Sequence, residues 1–192
     1  MEEELIYKEY DMLHQEIEQK ISLQNNLLIF MITTTVTIIT LAIKSDSLLL
    51  YLFPFFIIIP ITSRIAYYRM AMAKISAYMI VFLEPKLNGI SWETRNVQFL
   101  RRYNSGKRND RKIQLDYYEC PVLGVICYLL YLLNYEQLNI NNLKDGIMIF
   151  GPALLVFMVI HMTYKINSLD RSREKMIDAW RKIESEEKLR KM

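Results

Sequence analysis

The sequence predicts an all-α polytopic membrane protein with four transmembrane helices and cytoplasmic amphipathic helices at both ends. Three observations predict it. The first is a partition that the averages conceal, because 52% hydrophobic residues in a chain of 192 and a mean hydropathy of +0.08 would also suit a soluble domain. Residues 27–43, 48–63, 120–135 and 146–164 contain no Asp, Glu, Lys or Arg, so all 45 charged side chains fall in the other 124 residues. A soluble fold spreads charge along every helix and strand, whereas lipid excludes it. The second is the placement of cations: residues 1–26, 64–119 and 165–192 hold 22 of the 24 Lys and Arg. The third is helical periodicity in both terminal segments.

The N-terminal segment, 1–26, spaces Ile6, Tyr10, Leu13, Ile17 and Ile21 by four, three, four and four, which places them on one helical face. Its Met-Glu-Glu-Glu start is the opposite of a basic signal-peptide n-region, so the mature chain is expected to keep it. A transmembrane hairpin follows over 27–63, with spans at 27–43 and 48–63. A spanning helix takes about 20 apolar residues at about 1.5 Å each, so these spans are short and suit a thin bacterial inner membrane or endoplasmic reticulum.

Residues 64–119 form a basic cytoplasmic helical loop. Its part 70–83 is apolar, but Arg64, Arg69 and Lys74 lie in or before it, and each would cost roughly 2.5–3.5 kcal/mol at a bilayer centre. It is therefore expected to continue the second span on the cytoplasmic side, stopping at Glu84-Pro85 and turning at Asn88-Gly89. A second hairpin, 120–164, contains spans 120–135 and 146–164. In the C-terminal helix, 165–192, Ile166, Leu169, Arg173, Met176, Trp180 and Ile183 make a seam too short for a free coiled coil, and suited to a local bundle or a subunit contact. With nearly all cations on one side, both termini and the long loop are expected in the cytoplasm.

Charge is uneven among these cytoplasmic parts. Residues 1–26 carry seven acids and two bases, while 64–119 carry five acids and eleven bases. The acidic helix is thus expected to dock on the basic loop, within one subunit or between neighbours. The densest cations are Arg95, Arg101, Arg102, Lys107, Arg108, Arg111 and Lys112, with Phe99 and Tyr103 among them. Such a run attracts anionic headgroups, a nucleotide messenger or RNA, or simply fixes topology. No RNA-binding motif or glycine-rich phosphate loop accompanies it.

The inventory for catalysis is poor: two histidines, two cysteines and five glycines. His14 reads as a surface residue and His161 as an interfacial one. Cys120 and Cys127 are seven residues apart on one helix, about 10.5 Å, too far to share a disulfide or a metal. No catalytic or metal site is expected, no cofactor, and no enzyme.

Within the spans, Thr33, Thr37 and Thr40 share a face that suits helix packing or, in an oligomer, a polar pore lining. Pro54, Pro60 and Pro152 are expected to kink their helices and are the hinge candidates. Together with the lipid bilayer, the partners expected are further copies of the chain and a soluble cytoplasmic protein or anionic ligand.

The layout of an amphipathic cytoplasmic helix, the 27–43 and 48–63 hairpin, and the continuation from Arg64-Ile-Ala-Tyr-Tyr-Arg to Leu83 resembles SLATT-type membrane effectors of bacterial conflict and antiphage systems. The likeness covers about the first 85 residues, and two further spans follow where that family has two in all. In outline the chain is also similar to the four-span membrane subunit of Kiwa-type phage defence. These resemblances imply an oligomer that permeabilises or depolarises the inner membrane after a cytoplasmic signal. They assign no individual residue.

Overall fold

A computed structural model describes residues 2–106, 118–135, 143–167 and 169–190, and among these it is helical without a strand. In chain order the helices are α1 (Glu2–Ser45), a 3-10 helix (Leu48–Leu52) and α2 (Phe55–Tyr78). A π-helix (Met79–Leu83), a 3-10 turn (Glu84–Lys86), α3 (Trp92–Gly106), α4 (Glu119–Leu133), α5 (Leu143–Asn167) and α6 (Leu169–Arg190) follow. Three helical segments are long and apolar enough to cross a membrane: Glu3–Ser45, Leu48–Lys86 and Gly146–Lys165. The third charge-free stretch forms α4, whose 15 residues extend only about 22 Å.

Contacts divide the chain into two compact units. One takes in Leu23–Tyr67 and Asp116–Asn167, the other Met1–Ser22, Tyr68–Leu115 and Ser168–Met192. The first contains the charge-free stretches. In it α1 buries Met31, Thr35 and Ala42, residues at helical spacing on one side. Met31 packs with Phe55, Ile58, Ile65, Cys127 and Val159 in a continuous apolar core. Helices α2 and α4 approach closely at Gly124, where a Cβ would stand 3.4 Å from the Phe55 ring.

Two details differ from the sequence expectation. The stretch 48–63 is not one kinked helix, because Pro54 lies in the turn between the 3-10 helix and α2. Lacking an N–H, proline suits a helix start, and the Pro54 carbonyl accepts the N–H groups of Ile57 at 2.9 Å and Ile58 at 2.8 Å. Pro54 therefore opens α2, whereas Pro60 and Pro152 lie inside α2 and α5. The other detail is that the helix of 120–135 closes at Leu133, where the Asn134 side chain donates to the Leu130 carbonyl at 2.8 Å.

The second unit holds the charged helices. Residues 70–83 continue α2 and then widen into the π-helix, burying Ala77, Met79, Val81 and Leu83. Helix α6 packs there through Ile177, Met176 and Trp180. Trp180 meets the Tyr78 and Phe82 rings edge-on at 5.4 and 5.8 Å, geometry that aromatic quadrupoles favour. Its indole N–H donates to the Lys74 carbonyl at 3.4 Å. The seam positions Arg173, Met176 and Trp180 are half-buried and Ile183 is exposed. The side chains of Ile166 and Leu169 lie outside the described residues.

Candidate functional site

Two regions carry the sequence candidates. In the apolar unit, Thr33, Thr37 and Thr40 are all exposed, on the side of α1 away from Met31, Thr35 and Ala42. Each hydroxyl donates to a carbonyl four residues earlier: Thr33 to Ile29 at 2.9 Å, Thr37 to Thr33 at 2.9 Å and Thr40 to Val36 at 2.8 Å. The donors are thereby satisfied within the helix, and the oxygens remain on its outer surface as acceptors. Thr35 is the opposite case. Its hydroxyl is fully buried and has no hydrogen-bond partner among the described residues.

Pro152 is buried in α5. Its ring nitrogen cannot donate to Met148, four residues back, so that carbonyl lacks its ordinary partner. The Tyr131 hydroxyl of α4 donates to this Met148 carbonyl at 3.0 Å, and the Tyr128 hydroxyl to the neighbouring Ile149 carbonyl at 3.2 Å. A proline and two tyrosines on paired helices thus form one hydrogen-bonded set. The acceptor that Tyr128 uses is 21 positions away in sequence. Pro60, in contrast, is exposed.

In the charged unit the central feature is the start of α3. Glu84 is buried, and its carboxylate accepts the N–H of Glu93 at 2.7 Å, the N–H of Thr94 at 3.1 Å and the Thr94 hydroxyl. A helix leaves its first N–H groups unpaired and carries partial positive charge at that end, so a carboxylate there both satisfies donors and complements the dipole. Glu93 is buried beside it and accepts the Ser76 hydroxyl at 2.6 Å. The turn before α3 is made by Gly89 at φ +86°, a left-handed conformation that suits glycine.

Tyr10 and Tyr78 lie outside the charge-free stretches, each partly buried near carboxylates. Burial pushes the Tyr10 hydroxyl up to about 12, and the charges of Glu84 and Glu93 add to it. Tyr78 is likewise pushed up to about 12, first by burial, then by its bond to Glu9 at 2.7 Å and the charges of Glu9 and Glu187. The acidic helix therefore meets acids and tyrosines in its own chain, while Glu16 and Glu18 pair along α1 with Lys20 at 2.8 Å and His14 at 3.5 Å.

The capped helix α3 turns Glu93 and Val97 inward and leaves Trp92, Arg95, Phe99 and Arg102 exposed. These four sit at steps of three, four and three, one face of a helix. Of the anionic-partner candidates, Arg95 and Arg102 share this face. Arg101 lies on α3 without a described side chain, and Lys107, Arg108 and Arg111 fall outside the described residues. Phe99 stands among the cations that the sequence singles out, whereas Trp92, one heptad before it, escaped the sequence reading; their spacing was the available signal.

His161 is exposed and stacks on Phe157 at 6.5 Å. Cys120 and Cys127 are free thiols buried in the apolar core. Among the described residues no group of three His, Cys, Asp or Glu side chains is placed to hold a metal ion. No family model matches the sequence, and no curated protein or solved structure matches it either.

Proposed function

We propose that this chain is a non-enzymatic, oligomeric, four-span protein of the bacterial inner membrane, with both termini cytoplasmic, that depolarises the membrane as an effector of antiphage defence. The observation that carries this reading is the outward Thr33, Thr37 and Thr40 face. Among the described residues the interior of the apolar unit buries large side chains such as Met31, Phe55, Ile58 and Tyr131, which favours a conduit outside the single subunit. A conduit then forms between copies, lined by a face that points outward. Helix α4 serves as the fourth span, its short length accommodated by local thinning of the bilayer. The cytoplasmic helices receive the trigger, and Pro60 and Pro152 supply the flexure.

Expression with a membrane-potential dye, and ion flux from liposomes holding the purified protein, test this reading. Wild type should collapse the potential, and Thr33→Val with Thr37→Val and Thr40→Val should lower the flux without lowering insertion. Unchanged potential under every triggering condition removes the channel. A second reading, a membrane anchor that recruits a soluble cytoplasmic partner or anionic ligand, draws on the exposed Trp92, Arg95, Phe99 and Arg102 face. It predicts capture of that partner and no conductance.

A further inference from the structure

Two outward helix faces of the charged unit match each other in spacing, polarity and charge. On α3, Trp92 and Phe99 are 64% and 63% exposed, flanked by exposed Arg95 and Arg102. On the first turns of α1, Leu5 and Met12 are 62% and 69% exposed, flanked by exposed Glu4 and Asp11. Each of these four pairs is separated by seven residues, about 10.5 Å along a helix. Two apolar positions one heptad apart, with a charge beside each, are the elements by which paired helices set register and partner.

Helix α1 directs Ile6, Tyr10, Leu13 and Ile17 inward, all half-buried, and α3 directs Glu93 and Val97 inward. The two faces lie on the exposed sides of these helices. Glu4 pairs with Lys8 at 3.3 Å, and Asp11 accepts the Gln15 amide at 2.8 Å, both local contacts on an exposed surface. Such pairs contribute little and exchange readily.

We propose that the Trp92, Arg95, Phe99 and Arg102 face of one subunit docks on the Leu5, Met12, Glu4 and Asp11 face of a second copy. This rests on the oligomeric reading above and names the contact that builds the oligomer. An anionic lipid or nucleic acid would account for the arginines and leave the acidic face of α1 unexplained, whereas a second copy accounts for both. Because the two faces differ, the contact is head-to-tail: each subunit offers one face forward and one back, and a ring results where the rotation closes.

The test uses the full-length protein in detergent, in donor-labelled and acceptor-labelled batches, with energy transfer as the readout of assembly. Arg95→Glu with Arg102→Glu makes both faces acidic, and Glu4→Arg with Asp11→Arg makes both basic, so each variant alone should assemble at least about tenfold more weakly than wild type. Mixing the two variants makes each contact between unlike variants complementary again and should restore transfer between a donor-labelled batch of one and an acceptor-labelled batch of the other. That restoration also shows that both variants fold. The uncharged Arg95→Gln with Arg102→Gln should fall between.

Wild-type-like assembly of either charge-reversed variant alone, or no recovery on mixing, overturns the proposal. If assembly is intact and Arg95→Glu with Arg102→Glu instead loses its preference for nanodiscs of anionic lipid, the face belongs to the lipid and the proposal falls. A monomeric wild type overturns the oligomeric reading as well. An assembled wild type with assembled variants removes only this interface.

Discussion

Replacing Tyr131 by Phe should isolate the bond that compensates Pro152. The substitution keeps the buried ring and removes the hydroxyl that donates to the Met148 carbonyl at 3.0 Å. A buried acceptor left without a donor costs about 1–3 kcal/mol, while interhelical bonds in membranes average about 0.6 and reach about 1.7. Because Pro152 has already withdrawn the intrahelical donor, the upper part of the membrane range applies, and a loss of about 1.5 kcal/mol is expected. The decisive comparison is a double-mutant cycle with Pro152→Ala, which returns an N–H within reach of Met148. In that background Tyr131→Phe should cost about 0.5 kcal/mol or less, giving a coupling of about 1 kcal/mol. Tyr128→Phe is the internal control, since Ile149 faces the N–H of Ala153 and keeps a donor. Reversible unfolding in mixed micelles measures all four corners. Additivity within about 0.3–0.5 kcal/mol would show that the tyrosine and the proline are independent, and would refute the reasoning.

Glu84→Ala should free the first turn of α3, costing about 1–3 kcal/mol, and hydrogen exchange at the Glu93 and Thr94 amides should quicken while that of the Ile58 and Val159 amides does not. Tyr10 and Tyr78 retain their protons to about 12 where a free phenol releases its own near 10. Between those values the folded chain binds protons that the unfolded chain has lost, so stability is full below pH 10 and declines as pH rises toward 12. Tyrosinate absorbance followed with thermal melts checks this, and Tyr78→Phe should flatten part of the decline. At Gly124, Ala should be tolerated because its Cβ meets Phe55 at 3.4 Å, whereas Leu should overpack the α2 and α4 contact by about 1–3 kcal/mol in the same micelle assay.

Absence of charge is a local property of sequence, and it located the apolar parts of α1, α2 and α5 well. Of the five residues that helical spacing places on one face of 1–26, Ile6, Tyr10, Leu13 and Ile17 are half-buried and Ile21 is exposed. What escaped depended on partners. Nothing near Glu84 marks it as the cap of α3, since the N–H groups it accepts belong to residues nine and ten positions later, brought back by the Gly89 turn. Apolar residues flank Pro54 on both sides, so its sequence suits a kink within one span, and hydropathy does not distinguish a 3-10 turn from the first turn of an α-helix. The role of the α4 tyrosines depends on the carbonyl that Pro152 leaves opposite them. Phe99 was in view among the cations, and only burial of Glu93 and Val97 showed which way that face points.

The dependence of α4 on α5 also bears on the order in which the chain is made. Helix α4, with its 15 residues, leaves the ribosome before α5, and at that moment the Tyr131 and Tyr128 hydroxyls have no Met148 or Ile149 carbonyl to meet. The acceptors arrive only with the segment that holds Pro152. On the four-span topology proposed above, translation to the end of α5 is the step that commits the pair to lipid, and a nascent chain truncated after α4 should remain accessible to water-soluble reagents.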